Sequence, residues 1–194
     1  MLTSKQIRGF TIVELLIVIV IVGILAAITI VAFNGIQSRA YNTKVESTVA
    51  SYKKILSLYT AQYGKYPLSA SSGCLGAVAD YNSNNCYAAS PSATMEAELK
   101  KVATTLPAPD LYCFQMYGPN CRRNMTLYYN NTGWQVDGKQ HSWYLIYFLK
   151  NNGDCTLPNN LEGTYGNFSS TVSRKYTERD SGTTMCVTAL PDDV

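Results

Sequence analysis

The chain has 194 residues, room for one ordinary domain plus an additional element. Charged residues make up 15%, well below the usual share of about a quarter, while tyrosine occurs fifteen times. The net charge is +3, but with Lys5 and Arg8 set aside fourteen of the sixteen Lys and Arg face thirteen acidic residues. That near-neutral balance has no clustered basic face of the kind nucleic acid favours, and no aromatic-and-basic RNA motif accompanies it.

From Phe10 to Phe33 the sequence "FTIVELLIVIVIVGILAAITIVAF" is 24 residues of membrane-like composition, and between Arg8 and Arg39 the only ionisable side chain is Glu14. At about 1.5 Å per residue the run makes a helix of about 36 Å, enough to cross a hydrocarbon core of about 30 Å. β-branched residues dominate it (Ile12, Val13, Ile17 to Val22), yet a single buried strand rarely exceeds about ten residues and an isolated strand in lipid has no backbone partner. Lys5 and Arg8 precede the run and predict a cytoplasmic N-terminus, with the C-terminal part outside. A cleaved secretory signal would be shorter and would end in a small-x-small site, and "ILAAITIVAFNG" contains no Ala-x-Ala. A plain signal anchor explains everything except Glu14. An acidic residue costs about 2.5 to 3.5 kcal/mol at mid-membrane and less near an end, where it reaches the interface.

"RGFTIVELLIVIVIVGILAAI" resembles the N-terminal signature of type IV pilins and of the pseudopilins of type II secretion systems. A short basic leader ends in Gly9, Phe10 follows, Glu14 stands five places into the mature segment, and about twenty apolar residues come next. The resemblance covers residues 5 to 40 closely and is architectural beyond them. It implies cleavage of Gly9–Phe10 by a prepilin peptidase on the cytoplasmic side, where the absent side chain of Gly9 gives the protease close access. It further implies N-methylation of the new N-terminal Phe10, whose amine has a reference pKa of about 7.7 to 8 and is largely cationic at neutral pH. Glu14 would then meet the Phe10 amine of a neighbouring subunit, setting axial register as a buried polar residue does in a coiled coil. The implied partners are other copies and other pilins, the peptidase, a membrane assembly platform, and the cytoplasmic membrane that holds the single-pass chain before it enters an extracellular pilus. Surface ligands or DNA have no support in the sequence.

The helix is expected to continue. Val45, Val49, Tyr52, Leu56, Tyr59 and Tyr63 form one stripe at steps of three and four, which Lys44, Lys53 and Lys54 leave for other faces. The stripe suits a helix laid on its own globular domain better than a coiled-coil seam, and its tyrosines read as core rather than as a sugar or cofactor site. "YGKYP" supplies the stop, because Gly64 accepts left-handed backbone and Pro67 cannot continue the helix. One helix of about 80 Å over residues 10 to 63 results. Gly23 and Gly35 interrupt it, each costing about 1 kcal/mol relative to Ala. Many pilins carry a helix-breaking proline beyond the equivalent of Gly23, whereas this chain has none before Pro67, and Gly23, Ala26 and Ala27 also suit close helix approach.

A Ser-, Asn- and Ala-rich connection from Leu68 to Leu106 includes a short helix near Thr94 to Thr104. Apolar runs of strand length follow: "LYCFQMY", "MTLYYN", "WQV", "SWYLIYFLK" and "TTMCVTAL". Asn131-Thr132-Gly133 predicts a hairpin between the second and third, and residues 151 to 182 read as an irregular excursion. The fold class is α+β: a ladle-shaped pilin fold whose long helix packs by its second half on one small antiparallel sheet. Its parts are a leader (1–9), a transmembrane and filament-core helix (10–33), an amphipathic half-helix (34–66) and a disulfide-bonded head (67–194).

Cys74, Cys86, Cys113, Cys121, Cys155 and Cys186 all follow the apolar run, contain no CxxC, and fit three disulfides in an oxidising exterior better than zinc. Fifteen pairings are open. The local set, Cys74–Cys86, Cys113–Cys121 and Cys155–Cys186, is the expectation, the last closing the excursion as a C-terminal loop is closed in many pilins. No P-loop, GxSxG or HExxH occurs, so no enzyme is expected. His141 in "KQHSW" reads as a surface residue without catalytic company. Asp154, Glu162, Glu178 and Asp180 match no calcium-loop spacing, although major pseudopilins hold calcium in a comparable region, and neither metal nor cofactor is expected. Sequons at Asn124, Asn130 and Asn167 read as chance matches in an Asn-rich chain. The functions left open are a filament subunit, a minor tip pilin that binds a surface or DNA, a pseudopilin, and a signal-anchored domain.

Overall fold

The computed structural model of the chain describes residues 10–81, 85–109, 115–117, 120–123, 125–129, 135–136, 139–151, 153–157, 163–164, 167–168, 173–176 and 183–192. It is α+β: one long, N-terminally apolar helix, α1 (Ile12–Tyr63), and a small antiparallel sheet. The chain divides into two compact units, Met1–Ser38 and Arg39–Val194.

In the first unit, from Ile12 to Ile30, α1 is apolar on every side apart from Glu14 and Thr29. Every large apolar side chain from Ile12 to Ile30 is half exposed or more, up to 85% at Ile12. Soluble monomers rarely show a continuous apolar surface of this extent, which marks a membrane or protein partner. By length and composition α1 can cross a membrane.

In the second unit the stripe does what its spacing predicts. Val45, Val49, Tyr52, Leu56 and Tyr59 are buried, and Tyr63 at the end is 38% exposed. Each fully buried side chain of this size stabilises by about 1.5 to 3 kcal/mol. Gly64 ends the helix at φ +64°, its N–H donating to the Thr60 carbonyl at 2.8 Å. This is the left-handed cap that "YGKYP" predicts.

The elements after α1 are β1 (Gly73–Cys74), a 3₁₀ turn (Val78–Tyr81), β2 (Asn85–Cys86), α2 (Ala93–Leu99), β3 (Gln115–Tyr117), β4 (Asn120–Arg123), β5 (Thr126–Tyr129), β6 (Gln135–Val136), β7 (Lys139–Gln140), β8 (Trp143–Lys150), β9 (Gly163–Thr164), β10 (Asn167–Phe168), β11 (Ser173–Tyr176) and β12 (Thr183–Ala189). The main sheet has the order β1-β5-β8-β12-β11, every pair antiparallel. On one face Leu127, Leu145, Tyr147, Leu149 and Cys186 join the α1 stripe in one core with Met95 and Leu99 of α2. On the other, Tyr144, Ile146, Phe148, Met185, Val187 and Ala189 are buried with Tyr87 and Tyr128 packed against them. Burial on both faces is why β8 reads as an unbroken apolar run. The short helix is present as α2, capped by Ser92, whose Oγ accepts from Met95 N–H at 3.2 Å, and it stops well before Thr104.

Two expectations are corrected. The sheet is not single: β2-β4-β3 is a separate ladder containing a parallel pair, and β6–β7 and β9–β10 are two further ladders. Among the described residues β5 pairs with β1 and β8 and not with β6, and Asn131-Thr132-Gly133 lies outside the described residues. Val136 pairs with Lys139, and Asp137 and Gly138 lie outside the described residues. The excursion is not wholly irregular either, since β11 forms the edge of the main sheet beside β12. Its sequence, Ser-Arg-Lys-Tyr, has no apolar run because the paired neighbour supplies the ladder and charge is at home on an edge.

Candidate functional site

The start of α1 is built by Thr11 and Glu14. Thr11 immediately precedes the helix, and its N–H and hydroxyl both donate to Glu14 Oε2, at 2.8 and 2.7 Å. Glu14 N–H returns a bond to Thr11 Oγ1 at 3.2 Å. This is a reciprocal capping box, with the carboxylate at the helix end where the dipole favours negative charge. Thr-Ile-Val-Glu is the T-x-x-E signature, a signal that sequence reasoning passed over. Phe10 is 77% exposed beside this cap. Gly9 lies outside the described residues, as do Lys5 and Arg8.

The structure joins Cys74 to Cys86, with Cα atoms 5.5 Å apart, and Cys155 to Cys186, 5.7 Å apart. Tyr81 packs against the first bridge and donates to the Leu75 carbonyl at 2.6 Å. The segment carrying Cys155 is anchored on α1. Glu46 accepts from Thr156 N–H at 2.8 Å, and the Asn42 amide bonds both the N–H and the carbonyl of Lys150 at 2.8 and 3.0 Å. Cys113 lies outside the described residues, and Cys121 is described only as backbone in β4.

His141 is no bare surface residue. Its Nδ1 faces the Leu190 carbonyl at 3.0 Å and Asp192 Oδ2 at 2.8 Å, so the ring proton sits on Nδ1 and fastens the C-terminal segment. Tyr66 and Ser142 fasten the same segment, donating to the Pro191 carbonyl at 2.6 Å and to Asp192 Oδ1 at 2.8 Å. Asp154 is exposed, while Glu162, Glu178 and Asp180 lie outside the described residues. Among the described residues no group of three or more His, Cys, Asp or Glu side chains is placed to hold a metal. Of the sequons, Asn124 and Asn130 lie outside the described residues and Asn167 falls in β10.

Residues 4–30 match the family described as the prokaryotic N-terminal methylation motif. Over 60 residues, 31% of its length, the chain is 37% identical to type II secretion system core protein G of Klebsiella michiganensis, covering 42% of that protein. Over another 60-residue match it is 38% identical to type IV major pilin protein PilE1 of Neisseria gonorrhoeae, covering 36% of that protein. Over 55 residues it is 40% identical to type IV narrow pilus major component PilA5 of Thermus thermophilus, covering 47% of it. The chain thus spans less than half the length of these relatives. No solved structure matches it significantly.

Proposed function

From a chain that carries the prokaryotic N-terminal methylation motif and is similar over about a third of its length to type IV pilins and a secretion core protein, we propose a structural subunit that polymerises into an extracellular type IV filament. It acts by assembly rather than by catalysis. The leader, residues 1–9, is removed by a prepilin peptidase at Gly9–Phe10, and Phe10 becomes the N-methylated terminus. Residues 10–33 wait in the cytoplasmic membrane with the head outside, residues 34–66 join them to that head, and residues 67–194 form it. An assembly platform then moves the helix from lipid into the filament core, among other copies and related pilins.

The observation that carries this reading is one carboxylate, Glu14, in an otherwise uncharged and exposed apolar helix segment. Cleavage turns the Phe10 amide nitrogen into an ammonium, the cation that such a segment lacks. At 4 Å two unit charges attract by about 1 kcal/mol in water and about 4 kcal/mol at an effective dielectric of 20. A subunit inserted at another height leaves both charges buried and unpaired, which costs several kcal/mol. Intact-mass analysis of the membrane-derived and filament-derived chain tests the proposal. The expected mature chain begins at Phe10 and is one methyl group heavier than its sequence, and a chain that begins elsewhere overturns it.

The similarity to core protein G favours a second reading, a pseudopilin of a type II secretion system. Deleting the gene then blocks release of secreted enzymes while surface filaments persist. A filament subunit gives the reverse, and a minor tip pilin gives intact filaments in which this chain is scarce.

A further inference from the structure

Within the second unit lies a cavity of about 510 Å³, in the size range of small-molecule sites. Its walls come from the turn after α1, from Thr94 and Glu98 of α2, from Tyr129, from Ser142 and Trp143 at the start of β8, and from Asp192. Trp143 packs between Tyr66 and Tyr129, both ring centroids 5.0 Å from its own, so one side of the cavity is a rigid aromatic block. Ser69, Thr94 and Ser142, the cation Lys65, the apolar Pro67 and Leu68, and the two carboxylates are among the rest of its lining.

The carboxylates decide the ligand class. Glu98 already meets the ammonium of Lys101 at 2.7 Å and the Tyr59 hydroxyl at 2.5 Å. Asp192 meets His141 Nδ1 and Ser142 N–H, both at 2.8 Å. Each carboxylate has partners on its own chain, so neither demands a cationic ligand. A carboxylate offers about four lone-pair sites; Lys101 bonds both oxygens of Glu98 and Tyr59 one of them, so acceptor positions remain open on Asp192 and, more narrowly, on Glu98 Oε1. Fixed acceptors, hydroxyls that donate or accept, and an aromatic wall suit a ring with hydroxyls at its edge and C–H groups on its face.

We propose that this cavity is a binding site for a neutral saccharide of one or two rings, with Glu98 and Asp192 accepting from sugar hydroxyls beside the Trp143 block. The proposal does not rest on the filament reading.

Saturation-transfer NMR on the full chain in polyoxyethylene detergent micelles tests it, with galactose, N-acetylglucosamine and maltose as probes and tetramethylammonium as the cationic control. At least one sugar is expected to bind saturably, and tetramethylammonium is not. Glu98→Gln removes the charged acceptor and weakens that binding by about tenfold or more. Thr94→Trp fills the mouth from an exposed helix position and abolishes it, with the thermal melt retained in both variants. No saturable binding of any of the three sugars overturns the proposal. So does binding that both folded variants leave unchanged, or saturable binding of tetramethylammonium alone.

Discussion

Thr11 and Glu14 hold each other across the first turn of α1, with both Thr11 donors on one oxygen of the carboxylate. The same Glu14 therefore has a task within its own chain as well as the proposed one between chains, and substitutions separate the two. Glu14→Gln keeps an acceptor for Thr11 but removes the charge, while Glu14→Ala removes both. Both variants are expected in the membrane fraction at the wild-type level, because neither adds a cost of insertion. If charge sets register, both lower the yield of sheared filaments by at least about tenfold, the equivalent of 1.4 kcal/mol. Wild-type filament yield from Glu14→Gln would show that the cap alone suffices. Thr11→Ala loosens the helix start by about 0.5 to 2 kcal/mol and leaves the charge in place.

Gly153 and Asn42 meet so closely that a Cβ on Gly153 would overlap the Asn42 amide and stand 3.2 Å from Leu149 Cβ. The amide is not free to retreat, because it is bonded to both backbone groups of Lys150. Gly153→Ala is therefore expected to destabilise by about 1 to 3 kcal/mol, read as a loss of about 2 to 4 °C in Tm per kcal/mol. In an Asn42→Ala background the clash is gone and most of that cost should vanish, a non-additivity that a double-mutant cycle measures. Gly64→Ala, where φ is +64° but the space is open, should cost about 1 kcal/mol through backbone alone.

What was legible in the sequence is what local chemistry decides. The end of α1 at Tyr63 follows from Gly64 and Pro67, the buried stripe from its spacing, and β8 from a run that is apolar on both faces. The capping box is equally local, a T-x-x-E signature directly before an apolar run. Pairing is different. β11 is a strand because β12 lies beside it, and β5 turns to β1 and β8 through registers that no single run encodes. The cavity is the least legible feature. Tyr59 belongs to the buried stripe of α1, but Glu98, Trp143 and Asp192 come from distant parts of the chain and share a wall only after folding.

Cys155 and Cys186 close the stretch that contains β9, β10 and β11, and Cys186 is fully buried opposite Tyr147 of β8. Peptide mapping without reduction should recover Cys155–Cys186 and Cys74–Cys86. Replacing Cys155 and Cys186 together by Ala is expected to lower stability by about 2 to 4 kcal/mol, since the open chain regains loop entropy when unfolded. A peptide joining Cys155 to Cys113 would overturn the arrangement, and a doubly substituted chain with unchanged Tm would show that Asn42 and Glu46 hold this segment without the bridge.

The buried tyrosines set the response to alkali. Burial pushes the Tyr59 hydroxyl up to about 12, reinforced by its bond to Glu98, and burial raises Tyr52, Tyr66 and Tyr144 further. A folded pKa above the unfolded value of about 10 means that the native state holds its proton more tightly. Stability from these groups is complete below pH 10 and falls as the pH rises from there toward the folded values. Four such groups lose it together, so unfolding above pH 10 should be cooperative, with the tyrosinate absorbance step coinciding with loss of circular dichroism. On the acid side the partners act in the opposite sense. Lys100 and Lys101 hold the Glu96 and Glu98 carboxyls below their usual value, so that contribution is present above the unfolded carboxyl pKa and is lost as pH falls through the lowered one. Both pairs are solvent-screened, which makes the acid response small beside the alkaline one. A gradual tyrosine titration that begins near pH 10 without unfolding would show that these hydroxyls reach solvent in the native state.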